Sequence, residues 1–108
     1  MRRLDRMLPL VLWLAVLPGA HAQQPDAARR EELVHLLRHD CGSCHGLTLA
    51  GGLGPPLTAR ALRDKPAPAL EAAILHGRPG TPMPPWGGLL SAAEVSWMVH
   101  WLNQAEPR

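Results

Sequence analysis

Cys41-Gly42-Ser43-Cys44-His45 is the stretch on which the reading of this chain turns. The pattern C-x-x-C-H is the one at which haem is attached covalently to a polypeptide. Two thiols three positions apart can each bond one former vinyl group at the porphyrin edge. The imidazole that follows is then placed below the ring, where it can bind iron. Cys41 and Cys44 are also the only cysteines among the 108 residues.

Other uses of a cysteine pair fit less well. A redox dithiol normally opens a helix after a strand in a βαβ unit, whereas here a helical pattern precedes the motif. A structural zinc site needs four ligands, and no second Cys/His pair has matching spacing. A structural disulfide between the two remains compatible with the spacing alone.

Working outward, the N-terminus has the three-part layout of a secretory signal. Arg2, Arg3 and Arg6 precede the mostly apolar run Leu8 to Leu17, which leads to Pro18-Gly19 and the small-residue site Ala20-His21-Ala22. Cleavage is expected after Ala22, giving a signal peptide at 1–22 and one domain at 23–108. The apolar run falls short of the roughly 20 residues a spanning helix needs, so no membrane span is expected after cleavage.

The full sequence has 11 basic and 9 acidic residues; residues 1–22 hold three arginines and Asp5, leaving eight of each sign. The remaining chain is formally neutral and shows no nucleic-acid footprint. Neutrality also predicts little long-range steering toward a charged partner. Those 86 residues contain no Phe or Tyr and three Trp. A chain this short rarely stands on side chains alone and usually needs a metal, a disulfide or another staple. A haem would be the missing core, and the frequent Gly and Pro between residues 51 and 88 suit a chain wrapping a disc in loops.

The pattern predicts three or four helices and no strand. The first is expected over Ala27–His39, capped by Asp26, with Leu33, Leu36 and Leu37 as its apolar stripe. A short turn is expected after Thr58, with Leu62 inward. A third helix is expected over Ala69–His76, ended by Gly77 as a left-handed cap. The last starts at a capping box, Ser91 and Glu94, and its stripe is Val95, Met98, Val99 and Leu102. The fold class is all-α with long loops.

Met83 stands in Gly80-Thr81-Pro82-Met83-Pro84-Pro85-Trp86. A thioether suits the sixth position of haem iron, and flanking prolines stiffen the loop that would hold it there. Met98, on a helix stripe, reads as packing. Among the histidines His35, His39, His76 and His100, His76 is the main rival for that position because it leads into the Met83 loop.

Taken in order, C-x-x-C-H, then Gly54-Pro55-Pro56-Leu57, then the Met-Pro loop, then an amphipathic last helix, the chain resembles a class I cytochrome c. The resemblance implies one covalent haem c, bound through Cys41 and Cys44 and ligated by His45 and Met83. It implies that the Pro55 carbonyl accepts the Nδ1–H of His45, orienting the ring and raising its basicity. It places Leu36-Leu37 at the family's apolar pair and Trp101 at the aromatic of the last helix. Leu33 stands where the family often has glycine, which implies a wider or different crossing of the first and last helices. Trp86 is a candidate donor to a haem propionate, with Arg60 and Arg78 as candidate counter-charges. Leu47 to Leu53 either pack on the porphyrin or form an apolar docking rim.

Asp40 to Gly46, Gly51 to Pro55 and Met83 to Gly88 together resemble the NirC type, small periplasmic cytochromes encoded with cytochrome cd nitrite reductase. That implies a periplasmic electron carrier, monomeric and not an enzyme, with the nitrite reductase as redox partner. It also matches the location, since bacterial haem attachment of this kind takes place outside the cytoplasm. The resemblance equally permits an accessory haem protein in maturation of the reductase's haem-d cofactor. An enzyme or gas sensor with an open iron site would require Met83 to be displaced, and the sequence offers no distal catalytic group.

Overall fold

A computed structural model describes residues 23–104; the expected signal peptide lies outside them. These residues form four helical segments and no strand. The first is α1 (Ala27–Leu36), a π-helical turn (Leu37–Cys41) and α2 (Gly42–His45) in one unbroken run. Then come α3 (Ala59–Leu62), α4 (Ala67–His76) and α5 (Ala92–Leu102). None is long and apolar enough to cross a membrane.

The local signals act where the chemistry placed them. Asp26 caps α1 by accepting from the Arg29 N–H at 2.8 Å. Thr58 caps α3 through Ala61, and Leu62 is buried. Ser91 and Glu94 form a reciprocal capping box at the start of α5, with bonds of 3.1 and 2.9 Å. Ser91→Ala should cost about 1 kcal/mol, the usual value of such a cap, read as a lowered thermal midpoint of the holoprotein.

The first helix runs six residues beyond its expected end. The Gly42 N–H reaches the Leu37 carbonyl, five residues back, so one extra residue is absorbed without breaking the run. The run stops at Gly46, whose φ is +93° and where a Cβ would meet the Gly51 carbonyl at 2.5 Å. Helix α4 starts two residues earlier than expected because Pro66 and Pro68 sit at its start, where their missing N–H groups cost nothing. Gly77 ends it with φ +68° but ψ −175°, which is not the left-handed cap expected. The reason is a close crossing: a Cβ there would lie 2.8 Å from the Met83 carbonyl.

The core is one aliphatic cluster. Leu33 and Leu37 pack with Leu49, Leu62 and Leu90 against Val95, Met98 and Leu102 of α5. Val99 is buried as well, whereas Trp86, Trp97 and Trp101 are only half-buried. Leu33, at the position where glycine was the comparison, is wholly inside this cluster. Among the described residues one ion pair bridges α1 and α5: Arg29 Nε donates to Glu94 at 2.6 Å, and Arg29 also pairs with Glu32 within α1.

That bridge sets a pH dependence. The hydrogen bond from Arg29, then the Ser91 N–H, hold the Glu94 carboxyl below its ordinary value of 4.5. A depressed folded-state pKa gives stability that is present above that ordinary value and lost as pH falls through the folded one. Glu94→Gln should therefore melt below the parent protein at neutral pH, and the gap should close in acid. A gap independent of pH would leave the ion pair without a part in stability.

Candidate haem-attachment site

Helix geometry places the motif. Cys41 closes the π-turn and is half-buried, while Cys44 is exposed on α2. The Ser43 hydroxyl donates to the Asp40 carbonyl at 2.7 Å, fixing the turn between them. Burial, with a smaller push from the Asp40 charge, raises the Cys41 thiol to about 11. A redox dithiol needs the opposite shift, toward thiolate at neutral pH.

His45 is held on two sides. Its Nδ1–H donates to the Pro55 carbonyl at 2.7 Å. That bond fixes the tautomer, leaving the lone pair on Nε2, for which no partner exists among the described residues. Gly54 lies against the ring: a Cβ there would come 2.8 Å from Nδ1 and 2.9 Å from Cε1. The loop that brings Gly54 and Pro55 to this point is tied to the free carbonyls at the helix end. The Gly54 N–H donates to the Cys44 carbonyl and the Gly51 N–H to that of His45, both at 2.8 Å. Gly54→Ala should force the imidazole off its acceptor. The expected cost is about 1–3 kcal/mol, the range for overpacking a fixed site. Thermal unfolding of the holoprotein measures it, and parental stability would show that the ring is not confined there.

Met83 is half-buried on a loop clamped at both ends. At the start, the Arg78 N–H donates to the Met83 carbonyl at 3.3 Å, and the Thr81 hydroxyl donates back to the Arg78 carbonyl at 2.7 Å. At the end, Trp86 and Gly87 donate to the Ile74 and Leu75 carbonyls of α4 at 2.9 and 3.0 Å. These otherwise unpaired carbonyls make the helix end a mount for the loop. His35, His39, His76 and His100 are all exposed. The indole N–H of Trp86 has no partner among the described residues. Arg60 and Arg78 are exposed and form no ion pair among them.

The expected apolar run divides. Leu47 and Leu53 are 77% and 96% exposed, but Leu49 is buried in the core at a positive φ of 60°. Sequence reasoning passed over the π-turn, the packing of Gly54 against the imidazole, and the crossing of Gly77 by the Met83 backbone. For Gly54 a signal existed, because it immediately precedes the proline assigned to His45.

The family described as cytochrome c oxidase, cbb3-type, subunit III matches residues 28–102. The chain belongs to the c-type cytochromes. This cytochrome is 55% identical over 102 residues to a cytochrome c55X of Pseudomonas aeruginosa, spanning 88% of this chain and 86% of that one. It is 50% identical over 101 residues to the cytochrome c55X of Paracoccus denitrificans, spanning 93% and 98%. Among solved structures it superposes on the c-type cytochrome NirC with a TM-score of 0.72 at 62% identity, over 73% of this chain and 93% of that one. It also matches the dihydro-heme d1 dehydrogenase NirN, with a TM-score of 0.63 at 39% identity, over 69% of this chain and 16% of that much longer one.

The cofactor is haem c. The residues fit it: two thiols on one helical run, an imidazole with its tautomer set by Pro55, and a surface kept clear of side chains at Gly54. The all-α class expected from the pattern, and the cytochrome c fold that the resemblance implied, are the ones observed.

Proposed function

We propose that this cytochrome is a periplasmic carrier that passes single electrons to or from the nitrite reductase system of denitrification. Its relatives include the cytochromes c55X and the c-type cytochrome NirC, and the likeness to NirC supports the denitrification link. The observation that carries the reading is the pair of independent clamps, one on His45 and one on the Met83 loop. They support a reading in which His45 and Met83 would fill both axial positions and leave none for substrate.

Bound haem c supplies a one-electron Fe(III)/Fe(II) couple. Cys41 and Cys44 would hold it by thioethers. Pro55 keeps Nδ1 of His45 protonated and Nε2 available, and fixes the orientation of the ring. Met83 would offer the second axial ligand from a loop too stiff to swing away. The indole of Trp86 supplies a donor for a propionate. Leu47 and Leu53 present apolar surface beside the attachment motif, where a partner can exclude water.

Net neutrality hides an asymmetry that serves docking. Arg60, Arg63, Lys65 and Arg78 are exposed and form no ion pair among the described residues, and only Asp64 and Glu71 lie in the same stretch. An acidic partner face suits them. The deciding experiment mixes reduced holoprotein with cytochrome cd nitrite reductase and nitrite. Reoxidation of the cytochrome in step with nitrite consumption supports the carrier; no electron flow removes it. Intact mass after periplasmic expression should show a chain starting at Gln23 with one haem added.

One observation favours a second reading. The chain aligns at 44% identity with a part, 19%, of the dihydro-heme d1 dehydrogenase of Pseudomonas aeruginosa. A role in maturing the reductase's haem-d cofactor would follow. Loss of that cofactor from the reductase on deletion of the gene supports this role, and a fully loaded reductase dismisses it.

A further inference from the structure

His35 and His39 are stacked on the outer face of the first helical run, with ring centroids 4.2 Å apart and planes inclined by 36°. Both are exposed, and no ring nitrogen of either has a hydrogen-bond partner among the described residues. Their spacing crosses the junction between α1 and the π-turn. Residues four apart on an α-helix lie about 40° out of line, since each residue advances about 100°. The wider π-turn advances less per residue, so His39 is drawn back toward the line of His35. The extra residue that carries the helix into the haem motif thus also sets two imidazoles one above the other.

We infer that His35 and His39 form a surface site for a divalent transition-metal ion, with Cu(II) the preferred occupant. Imidazole nitrogen is a ligand of choice for copper, nickel and zinc, and copper binds most tightly in the first-row series. One bond to either ring holds the ion within reach of the other, because both are carried on one hydrogen-bonded helix. Closing the second bond then costs only side-chain rotation. Ring nitrogens need only small turns about their side-chain bonds to converge.

The charges around the pair set the limits of the site. His35 and His39 line an open cleft together with Glu31, Arg30, Arg38 and Trp97. Glu31 lies one turn before His35 and offsets one positive charge. Arg30 is engaged with the face of Trp97, 5.9 Å from the ring centroid. Arg38 is exposed, and its long side chain can turn to solvent. Among the described residues no group of three or more His, Cys, Asp or Glu is assembled to hold a metal. The site is therefore a two-imidazole chelate completed by water, reversible and solvent-facing, and separate from the haem ligands.

Titrating the untagged, oxidised holoprotein with Cu(II) tests this, with calorimetry for affinity and electron paramagnetic resonance for ligand nitrogens. One ion per chain with two nitrogens is expected. His35→Gln and His39→Gln should each weaken binding at least tenfold, while His76→Gln and His100→Gln leave it unchanged. The haem absorbance should not move in any of the four, which shows that each is folded. Absence of binding at a few equivalents of Cu(II), or binding that survives either His35→Gln or His39→Gln, overturns the site.

Discussion

Met83→Ala should leave the haem covalently attached and open its sixth position. Thioethers at Cys41 and Cys44 would not depend on Met83, so mass and haem stoichiometry should be unchanged. Thioether sulfur is a soft ligand that favours the ferrous state, and a His/Met pair raises the potential. Replacing it with water or hydroxide should lower the potential by on the order of 0.1 V or more, within the ~0.8 V that axial ligation spans. Carbon monoxide and cyanide should bind readily where the parent protein resists them. Met98→Ala is the contrasting variant. Met98 is wholly buried in the α5 stripe, so its truncation should cost about 2–5 kcal/mol while leaving the sixth-ligand spectrum intact. A Met83→Ala protein with parental spectra and potential would move the ligand to His76 or another side chain.

The contrast between these two methionines was legible in the sequence because each sits in a context that speaks locally. Prolines on both sides of Met83 exclude helix, and the spacing of Met98 with Val95 and Leu102 demands it. The capping box at Ser91 was legible for the same reason: two side chains three residues apart decide it with no help from the rest of the fold. What escaped the sequence depends on contacts between distant segments. The π-turn joins buried Leu37 to half-buried Cys41 and absorbs one more residue than an α-turn would, which no local pattern announces. Leu49 reads like its neighbours Leu47 and Leu53, and nothing local says that, of these three, it enters the core, at a positive φ. Gly77 reads as a helix cap, but its conformation answers to the Met83–Pro84 backbone lying across it. The four cations from Arg60 to Arg78 vanish into the balanced charge count of residues 23–108 until the structure shows them exposed and without ion-pair partners among the described residues.

The Cys41→Ala, Cys44→Ala double variant, produced without haem, should be largely unfolded at room temperature. The buried side chains among the described residues are leucines, valines, one methionine and Pro25, with no aromatic among them. The three tryptophans that could enlarge the core stay half-buried. Nor do the substitutions themselves open a large cavity: Cys44 is exposed and Cys41 only half-buried, so loss of structure would report loss of the haem. With haem bound, apolar surface is added to a core that lacks it, and iron bonds at both faces would tie His45 to Met83 across 38 residues. By chain entropy, closing a loop of that size is worth about 3–4 kcal/mol, although a ligand bond is weaker than a covalent crosslink. Set against the ~5–15 kcal/mol that holds an ordinary domain together, that single tie is a large fraction of the whole. The clamps on His45 and on the Met83 loop do not substitute for it, because each joins segments close in sequence: Gly51–Pro55 to Cys44–His45, and Arg78–Gly87 to the end of α4. Far-ultraviolet circular dichroism of the haem-free variant should therefore show little helix and no cooperative melt. Native-like helicity with a cooperative transition would mean that the aliphatic cluster around α5 folds the chain unaided, and that haem is added to a finished scaffold.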